Sequence, residues 1–299
     1  MIGRTGMVCG CIDIGSNTTR VLVADVSEGR VRELVQERCF THIGAELRAD
    51  GRIGAAKIAE VADIVSRQRD LAEAAGCERL RVVATAAIRG AANGAELCEG
   101  VRARAGVEVV VLDGVQEARM AFLGATRTLT DPLTATEAVA VVDVGGGSSE
   151  VAIGTIQGGV RWARSLAIGS GALADAHVHA DPPARQDLAA IRSAAAAAFA
   201  ELDAPPADFA VAVGGSATSL RRLAGPLLDH AAIERSVAEL CSAPAVEVAE
   251  RHGLDARRVR LMPAGLLVLA EASRALGLPL CLGNGGLREG VVLELAGAA

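Results

Sequence analysis

The sequence predicts an α/β protein built as two duplicated copies of one α/β half. Three observations carry this. Apolar runs of strand length alternate with longer segments of helical period, the alternation starts over near residue 138, and two strand-ending turns recur at one spacing. Ile12-Asp13-Ile14-Gly15-Ser16-Asn17-Thr18 lies over Val142-Asp143-Val144-Gly145-Gly146-Gly147-Ser148, a shift that carries Asp13 onto Asp143. Val82-Val83-Ala84-Thr85 lies over Ala212-Val213-Gly214-Gly215 with the same shift. One such match arises by chance in an Ala- and Val-rich chain. Two in one register point to duplication, with halves at 1–126 and 127–299 facing each other across a cleft.

The elements follow in order. Val8 to Ile14 reads as a buried strand, Gly15 to Thr18 as a turn, Arg20 to Val26 as the returning strand, and Val31 to Arg38 as the third strand of a meander. The polar stretch from Gly44 to Gly54 reads as a loop. Ile58, Val61, Ile64, Val65, Gln68 and Leu71 keep helical spacing, so a helix runs from Ala55 to Ala75 and stops at Gly76. Leu80 to Ala84 is a strand, Gly94 to Ala105 a helix, Val107 to Leu112 a strand and Val115 to Gly124 a helix. Arg127 to Thr136, with Asp131-Pro132, reads as a hinge. The second half repeats the order with strands at 138–144, 149–153 and 158–166, a helix across 184–201 and a strand from Phe209 to Val213. Helices then reach Leu276, and a short strand, Leu280 to Leu282, precedes a last helix from Leu287 to Leu295.

Composition narrows the partners. Half of the 299 residues are apolar (51%), enough for a substantial core. The net charge of −6 argues against a nucleic-acid or membrane-surface binder, which would carry a basic face. With no Tyr and one Trp there is little material for stacking bases. Seven cysteines without a C-x-x-C pair read as reduced thiols in a cytoplasmic protein; Cys9 and Cys11 alternate on one strand and share a face. No apolar run reaches the ~18 residues of a membrane span. Any polyanion must be held locally, by a few Arg and a metal.

The repeated turns suggest how. Glycines at a turn permit close approach of backbone to ligand. Successive N–H groups form an anion-binding concavity, and an aspartate ahead of them can hold a hard cation. Asp13 and Asp143 would flank a divalent cation, Mg2+ or a relative, while the two turns grip a phosphate chain. Either turn taken singly also reads as an Asp-x-Gly strand end and nothing more.

The ordered set of motifs resembles the exopolyphosphatase / guanosine pentaphosphate phosphohydrolase family, within the larger actin-like (ribonuclease H-like) group of actin, heat-shock chaperones and sugar kinases. The resemblance runs from about Cys11 to Val292. It rests on Ile12 to Thr18, on Val83-Ala84-Thr85-Ala86-Ala87-Ile88-Arg89 with Asn93-Gly94, and on Glu117-Ala118-Arg119 with Phe122-Leu123-Gly124. It continues through Asp143 to Glu150, Gly214-Gly215-Ser216-Ala217-Thr218 and Gly286-Leu287-Arg288-Glu289-Gly290. It implies two actin-like domains and removal of terminal phosphates by water, with inorganic polyphosphate or guanosine pentaphosphate as substrate. Glu117 matches the family's catalytic glutamate, a general base for water. Asp143 and Glu150 match positions tied to metal, phosphate and catalysis. Gly145, Gly146, Gly147 and Ser148, with Ser16, Asn17 and Thr18, would bind phosphate, and Arg89 would neutralise neighbouring phosphates bidentately. Gly214, Gly215 and Ser216 would line the phosphate cleft, whereas Gly286 to Gly290 reads mainly as a packing turn.

The chain departs from the family pattern in three places. His42 stands where the family often has Arg, Ala86 where Ser is usual, and Gln116 where a first glutamate often precedes the catalytic one. These departures imply trimming of short rather than long polyphosphates. Rival expectations are a guanosine pentaphosphate hydrolase, an ATP-dependent kinase of the wider group, and a non-catalytic polyphosphate or alarmone sensor. A homodimer is compatible with all of them.

Overall fold

The computed structural model of the protein describes residues 6–129 and 136–298. They divide into two units, one of Met1–Thr128 with Gly285–Ala299 and one of Leu129–Asn284. The last helix therefore belongs with the first unit, where the sequence reading had placed all of 127–299 in the second half. Of the expected hinge, Arg127 closes a helix and 130–135 lie outside the described residues.

In the first unit, β1 (Met7–Ile14), β2 (Thr18–Ser27) and β3 (Arg30–Phe40) form an antiparallel meander. Glu28 and Gly29 turn β2 into β3 with positive φ at both positions (51° and 72°), the two-residue hairpin geometry that suits the twist of paired strands. Then come α1 (Ile43–Asp50), α2 (Ala55–Ala74), β4 (Arg79–Ala84), α3 (Ala86–Gly90), α4 (Gly94–Ala105), β5 (Val109–Val111) and α5 (Gly114–Arg127). The five strands order as β3-β2-β1-β4-β5, with β4 parallel to β1 and β5 parallel to β4. One face of the sheet (Val8, Ile12, Ile14, Val21, Val23) packs on α2 and α4 through Val61, Val65, Leu97 and Val101. Cys9 and Cys11 lie together on the other face, with Leu22, Ala24 and Val26, against Leu287, Val291 and Val292.

Two short helices were not legible. The expected loop 44–54 holds α1, which buries Ile43 and Gly44 and ends at Gly51 in the left-handed region (φ 66°). It spans barely two turns, too few for a helical period to emerge. The same holds for the still shorter α3.

The second unit runs β6 (Val139–Val144), β7 (Ser149–Thr155), β8 (Gly159–Leu166), α6 (Ser170–His177), α7 (Arg185–Phe199), β9 (Phe209–Val213), α8 (Gly214–Ala224) and β10 (Leu227–Leu228). It continues with α9 (His230–Leu240), α10 (Ala245–His252), α11 (Ala256–Val259), α12 (Met262–Leu276) and β11 (Leu280–Leu282). His177 closes α6. The six strands order as β10-β11-β9-β6-β7-β8.

Topology supports the duplication at the level of single bonds. β8-β7-β6-β9-β11 repeats β3-β2-β1-β4-β5 with the same parallel and antiparallel pairings. Gly15 N donates to Thr18 O at 3.0 Å, and in the matching turn of the second unit Gly145 N donates to Ser148 O at 3.0 Å. The ladder slips between Val23 and Ala24 in one sheet and between Ile153 and Gly154 in the other, positions related by the same sequence shift.

The final helix, α13 (Leu287–Leu295), returns to the first unit and packs on α5 and β1. Glycines make the crossing possible. A Cβ on Gly124 would fall 2.7 Å from Gly290 N and nearer still to the Gly286 carbonyl oxygen, and one on Gly290 would fall 2.7 Å from the carbonyl carbon of Met120. Backbone meets backbone here, and any side chain would part the helices.

Candidate active site

Both repeated turns are held by their carbonyls. In the first unit, Ser16 O accepts from Gly44 N at 2.8 Å, while Asn17 O accepts from Thr41 N and His42 N at 3.0 and 3.1 Å. In the second, Gly145 O accepts from Ser170 N and Gly146 O from Ala172 N, both at 2.9 Å, at the start of α6. With the carbonyls drawn back, the N–H groups of Gly146 and Gly147 donate to no carbonyl among the described residues. A run of such donors favours an anion. Ser16, Thr18 and Ser148 are buried, while Asn17 and the three glycines stay partly open.

Glu117 and Arg89 come together although a helix and a strand separate them in the chain. Asp113 caps α5 by accepting from Gln116 N at 2.8 Å, and Gln116 Oε1 accepts in return from Asp113 N at 2.9 Å. This reciprocal cap satisfies two otherwise orphaned donors and sets the first turn of the helix. Glu117 follows at once and is 7% exposed. Its Oε2 accepts from Arg89 Nη1 at 3.1 Å, and the same nitrogen donates to Leu112 O at 2.6 Å.

Asp13, expected at a metal, is 4% exposed and accepts from Arg20 Nη2 at 2.8 Å. Arg288 lies on the same face of the sheet, its guanidinium held below its usual pKa by burial and by the neighbouring Arg20, against the pull of Glu289 and Asp13. With the Gln36 amide set by its hydrogen bonds, Gln36 Oε1 accepts from both terminal nitrogens of Arg288 at 3.2 Å. Sequence reasoning passed over both arginines. The signal for Arg20 was available: a turn closed by Gly15 and Thr18 puts residue 20 opposite residue 13.

In the second unit the corresponding pair is Asp143 opposite Glu150. Glu150 is 2% exposed and its Oε1 accepts from Ser165 Oγ at 2.7 Å. Carboxylates directly opposite on neighbouring strands repel one another unless a cation or proton intervenes. Asp143 also lies against Gly214, whose φ of 84° and closeness to the carboxylate both exclude a side chain. Arg258 caps this corner by donating to Gly215 O and, at 3.2 Å, to Ser219 Oγ. Ser216 is turned inward, where a Cβ on Gly265 of α12 would strike it.

Among the described residues no three His, Cys, Asp or Glu side chains group as a closed metal cage. One or two carboxylates with room for phosphate oxygens and water is the donor set that suits Mg2+. Asp143 and Glu150, opposite one another on paired strands, offer such a set, and Asp13 stands beside Arg20 in the first unit. The cavity of about 400 Å³ between α2 and α4 is a different place, apolar and lined by Ile58, Ala62 and Gly100 among others.

Residues 22–299 match the model of the Ppx/GppA phosphatase family. The chain belongs to that family. Exopolyphosphatase 1 of Mycobacterium tuberculosis is 31% identical over 311 residues, covering 96% of this chain and 88% of the relative. Among solved structures, the Aquifex aeolicus member of the Ppx/GppA family superposes with a TM-score of 0.80 at 27% identity, covering 97% of each chain. An exopolyphosphatase from Cytophaga hutchinsonii, 20% identical, reaches 0.85 over 98% of this chain and 99% of its own and attests the fold. The two α/β units thus have the actin-like fold of Ppx/GppA proteins.

Two of the three departures from the family pattern have local explanations in this Ppx/GppA chain. Gln116 completes the cap of α5, a task Gln and Glu perform alike. His42 takes a left-handed conformation (φ 49°) at the start of α1 and stacks on Phe40 with ring centroids 5.7 Å apart. Ala86 opens α3, and nothing in the structure explains its choice over Ser.

Proposed function

We propose that the chain is an exopolyphosphatase, releasing orthophosphate from the ends of inorganic polyphosphate with water as nucleophile. The observation that carries this reading is Glu117, a nearly buried carboxylate on a capped helix start, held by a guanidinium at 3.1 Å. The similarity to proteins named exopolyphosphatase supports the substrate.

The chemistry assigns each group a task. Glu117 takes a proton from water as its oxygen bonds to the terminal phosphorus. The bridging P–O bond breaks, and the electron pair stays with the shortened chain as a phosphate oxygen. The N–H donors of Gly146 and Gly147 stabilise charge as it shifts onto that oxygen. Asp143 and Glu150 would hold a divalent cation, Mg2+ by its donor chemistry, which when bound neutralises bridging and terminal oxygens. Arg20 is held beside the first turn by Asp13, and Arg258 caps the Gly214–Gly215 corner of the second unit. All seven cysteines are free thiols, which supports a reducing, cytoplasmic setting. Among the described residues no helix is long and apolar enough to cross a membrane.

The test is phosphate release from short and long polyphosphate, guanosine pentaphosphate and ATP, with and without Mg2+, for wild type and Glu117→Gln. Polyphosphate should be cleaved in a Mg2+-dependent way, and the variant should lose roughly 10²-fold or more, the usual contribution of a positioned base. Wild-type speed in Glu117→Gln would remove the base assignment. Release from guanosine pentaphosphate alone would move the chain to the alarmone reading, and binding without release would make it a sensor.

A further inference from the structure

Arg89 was expected to grip phosphate with a bidentate fork. Both hydrogens of its Nη1 are already engaged, one by Leu112 O and one by Glu117 Oε2. Among the described residues its Nε and Nη2 donate to nothing, and the side chain is 30% exposed. One nitrogen on α3 thus ties the residue just ahead of the α5 cap to the carboxylate one turn into that helix. A phosphate grip, if made, is confined to the Nε–Nη2 edge.

We propose that Arg89 is the positioning residue of the base: it fixes the Glu117 carboxylate against the Leu112 carbonyl so that water is met in one geometry. This rests on the reading of Glu117 as base. The contact belongs to the protein itself, so it is present before substrate arrives. Its loss removes a direct hydrogen bond that orients this nearly buried carboxylate. A group that only binds substrate raises KM when removed, whereas one that aligns a base lowers kcat.

The experiment is steady-state hydrolysis of polyphosphate by Arg89→Met, Arg89→Lys and Arg89→Ala, the last with and without added guanidinium, each also combined with Glu117→Gln. Circular dichroism first establishes that each is folded; should Arg89→Met not fold, Arg89→Lys carries the comparison. Removal of the guanidinium should lower kcat by about 10²-fold, the scale of a misplacement near 1 Å, with KM within about threefold of wild type. Guanidinium should restore kcat to Arg89→Ala but not to its Glu117→Gln partner, and in the Glu117→Gln background the loss of Arg89 should add nothing. A raised KM with kcat retained, or an equal loss with and without Glu117, would overturn the proposal. Glu117→Gln at wild-type speed would instead refute the base itself, so the two failures are distinguishable.

Discussion

The α5–α13 crossing makes a demanding prediction. In Gly124→Ala the new methyl would lie 2.7 Å from Gly290 N and closer to the Gly286 carbonyl. It would stand about 0.8 Å or more inside ordinary contact distance on two sides. Both obstacles are backbone, so no rotamer can relieve them and the helices must separate. Alanine gains about 1 kcal/mol over glycine in helix propensity, while overpacking costs about 1–3 kcal/mol. The net is a loss of stability of about 1 kcal/mol, or more where the backbone yields little. Glu117 stands two turns away on the same helix, roughly 10 Å along its axis. A separation of about 1 Å that tilts α5 should reach it and lower kcat by up to about 10²-fold. Urea midpoints and polyphosphate kinetics measure the two effects. Gly290→Ala should behave alike, because its Cβ meets Met120 from the other side, and the double variant should cost less than the sum, since one separation relieves both clashes. Gly124→Ala with unchanged midpoint and unchanged kcat would refute the reasoning.

Two further outcomes are expected. Asp113→Ala removes the acceptor for Gln116 N and should destabilise by about 1 kcal/mol, with a fall in kcat because the Glu117 turn frays, whereas Gln116→Glu should leave thermal stability close to wild type. Glu37 is the other case: burial alone would raise its pKa, but hydrogen bonds from Cys39, Arg67 and Gln68 hold it below the usual carboxylate value. A depressed carboxylate stabilises the fold above its unfolded pKa and loses that contribution as pH falls through the folded one. The urea midpoint of Glu37→Gln should therefore trail wild type at neutral pH and converge with it in acid below about pH 4; a constant gap would show that the ion pair is not its source.

How much was legible depended on range. The Asp-x-Gly turns announce themselves because glycine, a short polar residue and flanking Val and Ile runs are all local signals, and the common shift links the two copies. Long helices such as α2 showed because their length carries several periods. Short ones did not, and α1 was taken for a loop because only Ile43 and Gly44 are buried. Contacts were the hidden part. Arg89 reaches Glu117 through a fold that no pattern near either residue encodes. Arg20 could have been inferred from hairpin register, whereas Arg258 beside Gly215 could not, being far along the chain on α11. Gln116 was read as a lost acid; its partner Asp113 shows a capping residue whose charge is immaterial to the task.

The placement of α13 bears on how the chain is assembled in time. The first unit is not finished when residue 128 leaves the ribosome: the face of its sheet that carries Cys9, Cys11 and Leu22, and one side of α5, stay uncovered until 285–298 have been made. The intervening unit is one continuous stretch and can complete its own core meanwhile. Synthesis thus delivers the second copy of the duplicated half first, and the copy bearing the candidate base last, by a contact of high sequence separation and slow closure. Until that helix docks, the newborn chain shows an apolar sheet face to its surroundings, and the candidate catalytic glutamate sits on a helix without its partner.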